Sequence, residues 1–337
     1  MTDTLLSQIR GLVTVDIDAM DAEIAARHTK ETKFCDMTSN QALVYSEALR
    51  PERAHLLRAA IDAVKNDSNQ SHSDEDKLLQ DVLDVFTVLL GKKVYPYLTG
   101  NVHAQTSPFA AYDVEKTVEH ARKLVSLFEA HKIPKERVCI KIPTTPQSMV
   151  ACKLLSEMGI QTLATILFSV PQAIAASQAN CTYVAPYFNE LRVHFEPSLW
   201  RDYTHPADDH PSSQSIISIK QAFKSLNSKT LVMPASIVTV NEVIGLVSLR
   251  PDHLTISGGL LDKLSEEPPK PVDTFKTSLQ PVVDDAELKT DYLANDGEAL
   301  RLAIEKDEDV SRRLSDALSL FDDFEKKTKD LVKAMIK

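Results

Sequence analysis

Lys141 stands in the run RVCIKIPTT, with apolar residues on either side of it. An ammonium held mid-strand among Val138, Cys139, Ile140 and Ile142 has few routes to water, and burial disfavours its charged form. A partly neutral amine is the nucleophile that attacks a ketone or aldehyde to form a Schiff base. The competing reading is a lysine paired with a carboxylate for purely structural reasons. Pro143 ends the strand just beyond, which sets Lys141 near its carboxyl end.

Other strand ends carry groups that such chemistry uses. Asp16 and Asp18 in TVDID share parity, so both point the same way and one could act as general acid and base on a substrate hydroxyl. Thr38, Ser39 and Asn40 follow a second short strand with small groups suited to sugar hydroxyls, although such residues are also common caps and turns. Gln105, Thr165 and Tyr187 come from three further strands and together could hold a water as proton shuttle. Metal chemistry has less support. His205 and His210 flank Asp208 and Asp209 in a proline-rich loop expected to be exposed, no H-E-x-x-H occurs, and Cys35, Cys139, Cys152 and Cys181 form no C-x-x-C pair. His103 and His194 read as substrate contacts, and neither a metal nor a cofactor is expected.

Positioning these groups takes an alternation of strands and helices. Eight short β-branched or apolar runs, 12–18, 34–38, 101–106, 137–142, 162–168, 182–188, 230–236 and 253–257, are separated by helical stretches. Residues 113–131 put Val114, Val118, Ala121, Leu124, Val125 and Phe128 on one stripe behind Asp113 as N-cap. Residues 146–159 open on a proline and close on a glycine. The pattern predicts a closed (β/α)8 TIM barrel, with a doubly wound open sheet as the alternative. One barrel domain over 1–337 is expected, 296–337 being a helical tail that packs through Leu314, Leu318, Phe321 and Leu331. Residues 196–215 read as the longest polar loop and 266–272 as a stiff linker.

Composition narrows the class. Lys and Arg number 38 against 48 Asp and Glu, a net charge of −10, which disfavours nucleic acid as partner. No apolar run approaches the roughly 18 to 20 residues of a membrane span, and the N-terminus does not read as a secretory signal. A cytoplasmic location is expected. With 8 glycines and no G-x-G-x-x-G or G-x-x-x-x-G-K-[ST], the two commonest nucleotide-binding loops are absent.

The stretch from RVCIKIPTT through VAPYFNEL, with DMTSNQALV before it, is similar to the transaldolase family of Schiff-base barrel enzymes. The resemblance runs from Asp18-x-x-Asp21 to Ser236. It implies Lys141 as the imine-forming lysine, Asp18 as acid and base, Asn40 as a hydroxyl ligand and Thr165 as holder of a catalytic water. Asp16 is the alternative if strand one is shifted, and Ser39, Ser236 and Arg192 fill out the substrate-binding set. Relatives usually carry Glu at the position of Gln105 and Phe at that of Tyr187. Both differences, with Leu163 and Ala185, resemble the fructose-6-phosphate aldolases. Two basic positions that hold substrate phosphate in the family fall on Glu190 and Val238, so phosphate binding is expected to weaken unless Arg192, His194 or Arg201 rebuilds it. The implied activity is transfer of a dihydroxyacetone unit from a ketose to an aldose, in carbohydrate metabolism of the pentose phosphate type. The partner would be a sugar or sugar phosphate, and a homodimer is compatible with it. The alternatives are aldolase-like cleavage or synthesis on unphosphorylated ketoses, and an inactive barrel serving as a binding or scaffold protein.

Overall fold

The computed structural model describes residues 4–29, 32–66 and 74–336. Its strands are β1 (Thr14–Asp18), β2 (Val102–Gln105), β3 (Val138–Pro143), β4 (Gln161–Leu167), β5 (Tyr183–Pro186), β6 (Leu231–Val232) and β7 (His253–Ser257). All pairings are parallel, as short crossover helices require. Two ladders result, β7 with β1 and β2 through β6.

Two joints close these ladders into the ring of a (β/α)8 barrel. The run 34–38 lies between β1 and β2: Ile17 N–H donates to the Asp36 carbonyl and Thr38 N–H to the Ile17 carbonyl, while His103 N–H donates to the Met37 carbonyl. It forms isolated bridges rather than a regular strand because side chains replace part of its ladder. The Asp16 carboxylate accepts from Asp36 N–H at 2.8 Å, and the Asp36 carboxylate accepts from Asn101 N–H at 2.7 Å. On the far side, Asp252 N–H donates to the Val232 carbonyl at 3.1 Å and the Asp252 carboxylate accepts from Val232 N–H at 2.8 Å.

Several boundaries differ from expectation for local reasons. β1 starts at Thr14 because Leu12 and Val13 N–H groups still bond back to Ile9, ending the first helix. β6 stops at Val232, and Pro234, which has no N–H, separates it from a single bridge between Ala235 and Tyr187. The polar stretch 196–215 is not all loop: Pro206–Asp209 and Pro211–Ser225 are helical, and His210 is buried against Phe188, ring centroids 3.8 Å apart.

The outer helices follow their caps. Asp113 accepts from Lys116 N–H ahead of Val114–Ala130, Thr145 from Ser148 N–H ahead of Pro146–Glu157, and Gly159 takes a left-handed φ of +68°. The last helix, Glu308–Ile336, packs across Gln41–Ala48 and Glu75–Val94. It buries Leu314, Leu318 and Phe321, with Val332 rather than Leu331 as the next buried apolar position.

Candidate active site

Asp18, Gln105, Lys141, Thr165, Tyr187 and Ser236 sit near or just past the carboxyl ends of their strands, where barrel enzymes place their chemistry. Asp18 ends β1 and Gln105 ends β2, in register with Lys141 on β3. Thr165 lies two residues before the end of β4, Tyr187 directly after β5, and Ser236 beyond β6.

Lys141 is 3% exposed, and its Nζ makes no hydrogen bond or ion pair among the described residues, which removes the structural ion pair as its explanation. Burial pushes its pKa down, and the nearby Asp18 carboxylate offsets only part of this. The Asp18 charge is also felt by Tyr187 and by His194. Thr38 orients the carboxylate, its Oγ1 donating to Asp18 Oδ1 at 2.7 Å. With that proton committed, Thr255 must be the donor in the 2.6 Å contact between the two threonine hydroxyls.

Thr165 Oγ1 donates to the Tyr187 hydroxyl at 3.1 Å, which leaves the Tyr187 O–H free to donate into the site. Burial first, and the Asp18 charge second, raise the Tyr187 pKa, so it stays a neutral donor. A bulge aims Thr165: the β4 to β5 register shifts between Ala164 and Leu167, and Ile166 adopts φ of +56°, strained for a β-branched residue. Gln172 Nε2 supports the distortion by donating to the Ile166 and Thr144 carbonyls. Gln105 does not bond to this pair. Its Nε2 donates to Gln41 Oε1 at 2.6 Å instead.

Asn40 caps the helix Gln41–Ala48, its Oδ1 accepting from Leu43 N–H, so its amide N–H groups remain for a ligand. The Ser39 hydroxyl is committed to the His103 carbonyl at 2.7 Å. Ser236, at φ of +63°, meets His194 Nε2 at 2.9 Å. Arg192 is held by Glu196 at 3.0 Å and Asp316 at 3.6 Å, and Glu190 by Arg312 at 2.7 Å. The site thus meets an ion-pair cluster on the C-terminal helix, which no local motif announces.

Asp16 and His103 lie one layer lower. Asp16 accepts from His253 Nδ1 at 2.9 Å and Asp36 from His103 Nε2 at 2.8 Å, both carboxylates fully buried. Burial pushes Asp16 up to about 6, whereas His103 holds Asp36 well below the usual carboxylate range. His103, two residues before Gln105, is therefore part of the barrel floor and not a substrate contact. Among the described residues, Asp16, Cys35 and His253 are the one set whose ligand atoms lie within 4.8 Å of one another. Burial pushes the Cys35 thiol up to about 12, which keeps it protonated. His205, Asp208, Asp209 and His210 are separately engaged: Asp208 by Thr277 and Ser278, His210 by Ser212. No helix among the described residues is long and apolar enough to cross a membrane.

The chain matches the family model described as transaldolase/fructose-6-phosphate aldolase over residues 14–334. It is 32% identical to a transaldolase of Schizosaccharomyces pombe over 277 residues, covering 81% of this chain and 82% of that one. A transaldolase of Saccharomyces cerevisiae is 32% identical over 303 residues, 87% of each chain. One from Aliivibrio salmonicida is 31% identical over 263 residues, 78% of this chain and 79% of that one. A barrel whose buried, unpaired lysine faces an aspartate, matched across nearly its whole length, belongs to the transaldolase/fructose-6-phosphate aldolase family.

Proposed function

We propose that this protein transfers a dihydroxyacetone unit from a ketose to an aldose through a Schiff base on Lys141, without a cofactor, in cytoplasmic carbohydrate metabolism of the pentose phosphate type. The observation that carries this is the buried Lys141 amine, its pKa lowered, with no partner but the charge of Asp18.

The neutral amine adds to the ketose C2 carbonyl, forming a C–N bond while the carbonyl oxygen gains a proton. Loss of water leaves a protonated imine. Asp18, held by Thr38, takes the proton of the C4 hydroxyl, whose electrons form the new carbonyl. The C3–C4 pair moves to the imine nitrogen as an enamine, and an aldehyde departs. Attack of the enamine on an incoming aldose rebuilds a C–C bond, Asp18 returns its proton to the new hydroxyl, and hydrolysis frees Lys141. Asn40 would hold a substrate hydroxyl through its free amide N–H groups.

The Thr165–Tyr187 pair supports a second reading. A water taken up by the free Tyr187 O–H could protonate the enamine at C3, releasing dihydroxyacetone as an aldolase does. One assay addresses both: a ketose donor and an aldose acceptor are mixed, and transfer product and free dihydroxyacetone are followed together. Transfer with a minor release is expected, and Tyr187→Phe should reduce the release relative to transfer. Neither product from any ketose tried would leave the chain a barrel without catalysis.

A further inference from the structure

The C-terminal helix carries one acidic side chain into a small cavity that reaches Asn40 and Gln105 at the strand ends. Glu325 is 5% exposed and lines a small cavity together with Asn40, Gln41, Gln105 and Asp84. The space for water centres is ≈ 30 Å³, against the roughly 10 to 15 Å³ that one water needs. Gln105 is fixed there by its bond to Gln41, and its Oε1 is buried with no hydrogen-bond partner. An orphaned acceptor beside a polar cavity calls for a donor, and a water meets that need. Gln105 is also the register partner of Lys141, so this cavity abuts the imine lysine's strand neighbour.

Two carboxylates line the cavity, and they differ. Asp84 accepts from His120, Lys123 and Gln80, and despite burial His120 and Lys123 hold it well below the usual range. Glu325 accepts one hydrogen bond, from Ser107 Oγ at 2.8 Å, with Lys329 Nζ at 3.5 Å. Burial pushes its pKa up and Asp84 adds to this, while Lys329, Ser107 and His120 pull the other way. Of these charged groups, Lys329 lies on its own helix, His120 on Val114–Ala130 and Asp84 on Glu75–Val94.

We propose that Glu325 is a proton-relay carboxylate of the Schiff-base cycle, acting through a cavity water held by Gln105. This rests on the imine chemistry assigned to Lys141. As the carbinolamine collapses, the protonated Glu325 delivers a proton through the water to the C2 hydroxyl. That hydroxyl leaves as water with the C–O electron pair, and the nitrogen lone pair forms the C=N bond. Imine hydrolysis runs in reverse, with the Glu325 carboxylate regaining the proton from the attacking water.

The test compares three variants with the wild type in transfer kinetics. Glu325→Gln keeps the volume and the acceptor for Ser107, so the thermal midpoint and KM should hold while kcat falls by about 10² to 10⁴, the usual size of such proton transfer. The limb of the kcat profile in which transfer declines as pH rises through the carboxyl's ionisation should flatten. Adding Gln105→Glu to Glu325→Gln puts a carboxyl back on the opposite cavity wall and should restore transfer at least tenfold. Ser107→Ala removes the hydrogen bond but keeps the carboxylate, and should stay within threefold of wild type. Wild-type kcat in Glu325→Gln, a double variant no better than the single one, or an equal loss in Ser107→Ala would overturn the relay and leave Glu325 a helix anchor. Borohydride trapping of a ketose on the wild type separates the two claims. Without an adduct the imine chemistry itself fails, whereas an adduct with unimpaired Glu325→Gln transfer removes only the relay.

Discussion

Removing the Lys141 ammonium should separate stability from function. Because its folded pKa is lowered, the unfolded chain binds the proton more tightly between that depressed value and 10.5. The folding penalty is therefore complete below the depressed value and fades as pH rises towards 10.5. Lys141→Met should raise the thermal midpoint by a few degrees near neutrality while abolishing activity, and calorimetry should show the difference shrinking at alkaline pH. A lower midpoint would mean that Lys141 has a stabilising partner. The apolar frame of this residue was readable because VCIKIP permits no other placement. What its neighbours do was not: Gln105 and Tyr187 looked equally able to hold a water, and only the fold shows Gln105 drawn to Gln41.

At the level of elements, strand positions were legible from β-branched runs, and helix starts from Asp113 and Thr145. The irregular joints were not, since they depend on side chains from distant segments standing in for ladder groups. Nothing in the text of TLATILF marks the bulge at Ile166, and Asp16 and Asp36 gave no sign of bonding to the backbone. The joint between 34–38 and β2 offers a direct check at Gly100. A Cβ there would lie 2.0 Å from Asp36 Oδ1 and 2.8 Å from Cys35 Sγ. Gly100→Ala must push the Asp36 carboxylate off the Asn101 N–H and crowd the floor, costing about 1 to 3 kcal/mol. Urea denaturation measures this, and an unchanged midpoint would show the joint to be plastic.

Across the whole molecule, the C-terminal helix does more than pack on the barrel. Arg312 pairs with Glu190, and Asp316 meets Arg192, so charges available to a substrate phosphate are engaged by the helix. That explains in physical terms why Arg192 cannot be assumed free from its sequence position. Glu190→Arg should shift kcat/KM towards a phosphorylated ketose, relative to its unphosphorylated form, by about ten- to a hundredfold, since one charge-assisted bond is worth roughly 1.5 to 3 kcal/mol. A strong native preference for the phosphate ester, weakened by Arg192→Ala, would show instead that Arg192 leaves Glu196 to bind it. The central claim, an imine on Lys141, is tested most directly by borohydride reduction in the presence of a cleavable ketose, followed by peptide mass spectrometry. The expected result is one covalent adduct on the peptide bearing Lys141, absent in Lys141→Ala and Lys141→Arg. An adduct on Lys153 or Lys220, or none with any ketose that is turned over, would contradict it.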